Sequence, residues 1–466
     1  MAIRKSDPKA NASGSSAQQR GRGVQRSVDG GAVQTSETPN GEVATQGTIR
    51  TLKVAILGFG TVGSSVARIL SEAGHNGLEL THVLNRDVER KRVPWVPRSV
   101  VWTSDFNQVL ASDADVLVEL AGGLEPAGEW ASKALSAGKA VVTANKKLIA
   151  YRGIELSKLA ASNRVPLLYG AAVAGGVPVI PGLQLGLCGD QLHRVEGILN
   201  GTCNFILSKM EAGAEFEAAL LEAKALGYAE ADPSEDVDGF DARAKLVILT
   251  RIGLHADITP EEIPTHTITG IEAIDFEYAR DLHCTIRQIS RADARGREIL
   301  ATVGPMLVPH GSPLAGSRGT ENMVVVSGKY GGDTVFSGRG AGGLPTAVAV
   351  VSDLLSIREG QQLRGMPVRR TTVSGEVSLR HYIRFIVNDR PGIVAEIATH
   401  LAEHHINIQA ILQKPGHPGE RLPFVVTVEP CPDSALRRAL GKIAGMDCFL
   451  EPPLQMQILE PEEAAG

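Results

Sequence analysis

The 466-residue sequence carries no CxxC pair. Its five cysteines, Cys188, Cys203, Cys284, Cys431 and Cys448, are odd in number and scattered, which leaves no zinc or redox motif and fits a reducing, cytoplasmic setting. It also lacks an excess of one charge: 47 Lys and Arg against 52 Asp and Glu leave −5, so the chain as a whole does not present a nucleic-acid-seeking basic surface. It has no long apolar run free of breakers either. The uncharged stretch Pro166–Gly189 is punctuated by prolines and glycines, so it reads as loop and strand and no membrane span is expected. A hydrophobic fraction of 43% with 21% charged residues excludes wholesale disorder. What is abundant is glycine, 51 residues where about 7% is ordinary, so several places in the fold must need positive φ or a backbone without a side chain.

The length accommodates two to four domains. Residues 1–50 are rich in Ser, Gly, Gln and Thr without an apolar run, which predicts a disordered tail; a transit segment and a misassigned start are the alternatives. Strand and helix patterns then alternate: Leu52–Leu57, a helix with Val62, Val66, Ile69 and Leu70 on one face, then strands Leu78–Leu84, Val116–Leu120 and Ala140–Thr143. Alternation of this kind predicts βαβ units and a parallel sheet. From about 175 the texture changes to helices Ala214–Leu226 and Phe240–Leu254 followed by hairpin-like strands, an antiparallel α+β region. The apolar helix Pro345–Ile357 is expected to return to the first domain, and Arg364–Gly375 to be a linker. Beyond it a βαββαβ order predicts a ferredoxin-like module. The domains expected are 51–174 with 338–362, 175–337 and 380–460.

Gly58-Phe59-Gly60-Thr61-Val62-Gly63 follows a buried strand and opens an amphipathic helix. That context predicts a Rossmann dinucleotide site, with glycines for the tight turn and the pyrophosphate at the helix N-terminus. After the second strand an acid would hold a ribose 2′-hydroxyl; the sequence has Asn85-Arg86, and Arg86 suits a 2′-phosphate, so NADP is favoured over NAD. Lys146 lies just beyond a strand carboxyl end, where ligands bind in open α/β sheets; on spacing alone it also fits a solvated surface lysine. The acidic run from Glu230 through Asp236 to Asp241 precedes a helix carrying Lys245, four residues from Asp241 and on the same face. Packed carboxylates can recognise an ammonium and the lysine can move a proton, although a helix N-terminal charge cluster would look the same. Asn200-Gly201-Thr202-Cys203-Asn204 offers polar groups to a substrate, and Cys203 has no basic partner in sequence. Asn388-Asp389-Arg390-Pro391-Gly392 forms a turn at a helix N-terminus suited to a small carboxylate and amine.

The segments GFGTVG, VELAGGLEPA, TANKKLIA, AAVAGGVPVI, GILNGTCNFILSKM, YAEADPSEDVDGFDARAKL and GAGGLPTA stand in an order that resembles homoserine dehydrogenase. VNDRPGIVAEIATHLAEHHINI resembles an ACT domain. The resemblance implies a Rossmann domain, an α+β catalytic and dimerisation domain and a regulatory ACT domain. It implies NAD(P)-dependent interconversion of L-homoserine and L-aspartate 4-semialdehyde in threonine, methionine and isoleucine synthesis, in a homodimer or homotetramer. It gives Lys245 and Lys146 catalytic roles, Lys146 also touching the nicotinamide cofactor, and assigns Thr202, Glu230, Asp236 and Asp241 to substrate and Gly122 and Gly340 to the cofactor lining. It implies a sodium ion held by carbonyls of Gly170, Val173, Gly175 and Val177, and threonine as an effector at Asn388, Asp389 and Gly392. Where the family commonly reads Tyr-Glu-Ala, this chain has Tyr169-Gly170-Ala171, so a carboxylate beside the sodium loop is missing. Two other readings stand beside it: a semialdehyde dehydrogenase working through a thioester on Cys203, and an inactive amino-acid sensor.

Overall fold

The computed structural model describes residues 51–72, 77–361, 368–374 and 378–460; the expected disordered tail, 1–50, lies outside the described residues. The first sheet is parallel and six-stranded: β1 (Leu52–Leu57), β2 (Leu78–Leu84), β3 (Val101–Thr103), β4 (Val116–Glu119), β5 (Ala140–Thr143) and β6 (Leu167–Leu168), ordered β3-β2-β1-β4-β5-β6. β4 and β5 are buried along their whole length, as a sheet covered by helices on both faces requires. β3 and β6 were not in the sequence reading, since two or three residues carry no periodicity. The strand order reverses at β1, between β2 and β4, and opens a crevice at the strand carboxyl ends.

The helix α1 (Thr61–Glu72) buries Gly63, Val66, Ala67 and Leu70 against that sheet. The late Gly343–Arg358 helix shares this core through Ala347, Val350, Val351 and Leu354, so it does return to the first sheet as its apolar face requires.

A second, ten-stranded sheet follows. Its hydrogen-bonded order is Gly332–Arg339, Glu321–Gly328, Leu192–Ile198, Cys284–Arg295, Glu298–Pro309, Leu454–Ile458, Ser378–Val387, Leu422–Pro432 and Ile408–Gln413, with Thr372–Ser374 added alongside Glu298–Leu300. The hairpins read from the sequence are present, with Glu298 opposite Arg295 and Gly332 opposite Gly328. The Phe240–Gly253 helix packs Leu246, Val247 and Leu249 against Val195, Ala292 and Val303 of this sheet. The last four strands and the helices Ile393–Glu403 and Asp433–Ile443 form the ferredoxin-like ACT module.

The two modules share more than a linker. Within the segment read as linker, Arg369–Arg370 pairs with Ala256–Asp257 and Thr372–Ser374 with Glu298–Leu300. The ACT strand Leu454–Ile458 continues the same edge, Gln457 opposite Met306. Alternate residues of Ser378–Val387 explain the join. Ile383, Phe385 and Val387 face the two ACT helices, whereas Tyr382 packs with Phe276 and Tyr278 of the Ala273–Asp281 helix. On that second face the Asp275 carboxylate accepts from Tyr382 Oη at 2.7 Å and from Arg384 at 2.6 Å, all three residues being buried. Among the described residues no helix is long and apolar enough to cross a membrane.

Candidate active site

Three glycines shape the turn between β1 and α1, each for its own reason. Gly58 has φ +102°, and a methyl group there would lie 2.9 Å from the Ala121 nitrogen. A methyl group on Gly63 would lie 2.0 Å from the Gly58 carbonyl oxygen, so the helix packs on the strand only without a side chain. Gly60 has open space on that side, where a pyrophosphate can approach the free N–H groups of α1. Thr61 is exposed, Val62 packs against the core, and Phe59 turns its ring into it, 4.8 Å from Trp102, so Phe59 can offer the cofactor only its main chain.

Across the crevice the carboxylate of Glu119, fully buried at the end of β4, accepts from the N–H groups of Ala121 and Gly122 at 2.9 and 3.1 Å and from Thr143 Oγ1 at 2.6 Å. Gly122 and Gly123 therefore turn with φ +78° and +75°. Asn145 donates to the Gly123 carbonyl and caps the Lys146–Asn163 helix through Leu148 N. One network thus fixes the glycine turn and Lys146 together. Sequence reasoning passed over Glu119; a carboxylate ending the apolar run Val116-Leu117-Val118 was the available signal. Gly340 fits against Asn322, and its carbonyl lies where a Gly175 side chain would be. Arg86 is exposed just past β2, and Asp87, the nearest acid, caps the next helix turn through Arg90 N.

Lys146 and Lys245 meet on one carboxylate. Lys245 Nζ donates to Asp241 Oδ2 and to the Leu199 carbonyl, both at 2.7 Å, while Lys146 Nζ lies 2.8 Å from Asp241 Oδ1. Burial alone would raise the Asp241 carboxyl, but the Lys245 and Lys146 charges outweigh it and hold it well below the usual carboxylate range. Burial works downward on Lys146, Asp241 works upward, and the carboxylates win, so its ammonium is held charged above the ordinary lysine value. A cation at a helix N-terminus opposes the helix dipole, and Asp241 offsets that cost. Asp236 is different: burial pushes its carboxyl up. Its side chain accepts from Asn200 Nδ2 at 2.6 Å, and the same nitrogen reaches Asp241 Oδ2 at 2.9 Å.

The structure does not bring every expected residue into this cluster. Thr202 is buried beside it, but its hydroxyl donates to the Tyr228 carbonyl. Glu230 is exposed on the incoming loop and makes no bond to the lysines or aspartates among the described residues. Cys203 donates to the Asp236 carbonyl at 3.1 Å; burial, with Asp236 and Asp241 beside it, pushes its thiol well above the ordinary value.

Gly170, Val173, Gly175 and Val177 lie in a buried or half-buried turn in which Ala174 and Gly175 take φ +55° and +51°. The Gly170 N–H donates to Asp353 Oδ2 at 2.8 Å, and a side chain at 170 would start 2.7 Å from Asp353 Oδ1. The Gly343–Arg358 helix thus brings a carboxylate to the place where position 170 has none. In the ACT module Asp389 and Gly392 line a pocket of about 440 Å³ that also includes Gln413 and Phe424. Asn388 is not in that lining; its N–H donates to the Cys448 carbonyl.

Comparison with known proteins agrees along the chain. The homoserine dehydrogenase family model matches residues 178–355, that for the homoserine dehydrogenase NAD binding domain matches 58–170, and that for the ACT domain 381–445. A homoserine dehydrogenase of Mycobacterium leprae is 38% identical over 422 residues, which are 85% of this chain and 95% of that one. One of Bacillus subtilis is 35% identical over 396 residues, 82% and 92% of the two chains. The crystal structure of a homoserine dehydrogenase from Thiobacillus denitrificans superposes with a TM-score of 0.81 at 32% identity, covering 88% of this chain and 98% of that one. A hyperthermophilic archaeal homoserine dehydrogenase in complex with NADPH gives 0.58 at 28% identity, covering 67% and 99%. Relatives matched over nearly their full length, a glycine turn built for a dinucleotide and an ACT module at the C-terminal end lead to one conclusion: the chain belongs to the homoserine dehydrogenase family.

Proposed function

We propose that Lys146, Lys245, Asp236 and Asp241 carry the NAD(P)-dependent interconversion of L-homoserine and L-aspartate 4-semialdehyde. The observation that carries this reading is the single Asp241 carboxylate that holds lysines from two different modules at the crevice. Asp236, which no lysine bonds directly among the described residues, is free to take the substrate ammonium, with Glu230 and Thr202 as the further substrate residues that the family resemblance implies. A bound nicotinamide supplies the hydride exchange at C4. Lys245 donates its proton to the oxygen during reduction and takes it back during oxidation, while Lys146 holds the same oxygen beside the cofactor. The thioester alternative needs a thiolate, which burial and the Asp236 and Asp241 charges disfavour at Cys203.

Gly58, Gly60, Gly63, Gly122 and Gly340 would hold the dinucleotide, and Arg86 the 2′-phosphate of NADP. Exposure of Arg86 and the committed Asp87 carboxylate support NADP over NAD. The ratio of kcat/KM for the two cofactors, and its collapse in Arg86→Ala, tests this. Carbonyls of Gly170, Val173, Gly175 and Val177 would take a sodium ion beside Asp353, whose carboxyl is pushed up by burial to about 7, so that a bound cation would favour its charged form. A sodium-dependent rise in Tm that choline does not reproduce tests that fit. The ACT pocket is assigned to an amino-acid effector, threonine, through Asp389 and Gly392; the test is a threonine-induced shift in homoserine affinity. The same reading includes a homodimer or homotetramer through 175–337, measurable by light scattering. Five free cysteines support a cytoplasmic location.

A further inference from the structure

Asn200 is buried at 4% exposure and stands at the N-cap of the Gly201–Glu211 helix. Its Oδ1 accepts from Cys203 N at 2.8 Å, which is the ordinary capping bond. Capping needs only an acceptor, so Ser, Thr or Asp would serve equally. The amide nitrogen does something else: it reaches Asp236 at 2.6 Å and Asp241 at 2.9 Å. A side-chain amide has two N–H donors, and here both are spent on two different carboxylates.

We propose that Asn200 is a positioning residue for substrate binding, setting the spacing and orientation of Asp236 and Asp241 while leaving the Asp236 charge available to the ammonium of the amino-acid substrate. Among the described residues it is the one side chain that donates to the Asp236 carboxylate. A lysine there would neutralise Asp236, and an aspartate would add a third like charge to the pair. A neutral double donor does neither. The charged groups facing Asp236 are Asp241 and Lys245 from the Phe240–Gly253 helix and Lys146 from the Lys146–Asn163 helix. The Asp236 main chain is held separately, since Cys203 Sγ and Gln288 Nε2 both donate to its carbonyl. Loss of the amide therefore frees the carboxylate without freeing the loop. The Asn200 bond also pulls the Asp236 carboxyl down against burial.

This inference rests on the homoserine dehydrogenase reading, and the experiment separates the two. Wild type, Asn200→Ser and Asn200→Asp are compared for Tm, for KM of homoserine and of NADP+, and for the pH profile of kcat/KM. Both variants keep an N-cap acceptor, so Tm stays near wild type in Asn200→Ser, whereas Asn200→Asp also adds a buried like charge beside Asp236 and Asp241 and melts lower. Hydrogen bonds to charged groups predict a KM for homoserine raised about ten-fold or more, with the KM for NADP+ unmoved. In Asn200→Ser the acidic limb moves to higher pH, because Asp236 loses the bond that favours its charged form. An active wild type with an unmoved homoserine KM and acidic limb in Asn200→Ser overturns the inference. So does a loss that appears only as lowered Tm, or equally in both substrates. A wild type without homoserine-dependent NADP+ reduction overturns the parent reading instead, and the inference with it.

Discussion

Asp241 and Lys245 lie one turn apart on a single helix and touch at 2.7 Å, with side-chain exposures of only 7% and 14%. Such a pair fixes the Lys245 ammonium in position, and on the proposed reading that ammonium faces the substrate oxygen. Lys245→Ala should therefore lower kcat by about 10²–10⁴-fold while the KM for homoserine changes little, as expected for a group that acts in proton transfer. Steady-state kinetics in both directions would show it. A near wild-type kcat would remove Lys245 from the proton step.

Asp241 serves two cations, so its removal should affect folding as well as rate. Asp241→Asn leaves Lys146 and Lys245 facing each other in a largely buried site, and breaking a buried pair costs about 3–5 kcal/mol. The Asp241 carboxyl is depressed in the folded state, so its stabilisation is full above the unfolded value near 3.9 and is lost as pH falls below it. Urea unfolding of the two proteins at neutral and acid pH should show a gap that narrows with acid.

The glycine turn makes a contrast testable with two methyl groups. Gly63→Ala collides with the Gly58 carbonyl and should lower Tm and cofactor affinity together. Gly60→Ala meets nothing within 4 Å in the protein itself, so its Tm should hold while KM for NADP+ rises. Equal behaviour of the two variants would argue against a pyrophosphate above Gly60.

At the junction of the two modules burial pushes the Asp275 carboxyl up to about 6, against the pull of Arg384. A raised carboxyl binds its proton more tightly in the folded state, so the associated stability is present below the unfolded value near 3.9 and is lost as pH rises through about 6. Asp275→Asn should flatten the stability slope between about pH 4 and 6. Thermal melts of both proteins across that interval provide the check.

The parts of this fold legible in the sequence were those with periodic or motif signals. β1 followed by Gly58–Gly63 and a helix with Val62, Val66, Ile69 and Leu70 on one face identified the dinucleotide turn, and the four-residue spacing of Asp241 and Lys245 put them together. The tertiary partners were not legible. Asn200 lies 36 residues from Asp236, and Asp353 lies 183 from Gly170, so no local pattern links them. The linker reading of Arg364–Gly375 failed at Arg369–Arg370 and Thr372–Ser374 because these short strands owe their pairing to the open edges of distant ones. The second face of the ACT sheet was hidden for the same reason: Tyr382 and Arg384 look like ordinary solvent-facing alternation until Asp275 is brought against them.

On the proposed reading, Lys146, Asp241 and Lys245 hold homoserine and take its hydroxyl proton while NADP+ would accept the hydride. The most direct test is the initial rate of NADPH formation from L-homoserine and NADP+, with wild type beside Lys245→Ala. Wild type is expected to form NADPH only when homoserine is present, and the variant to form almost none. Absence of homoserine-dependent NADPH from wild type with NADP+, and of NADH when NAD+ replaces it, would overturn the assignment.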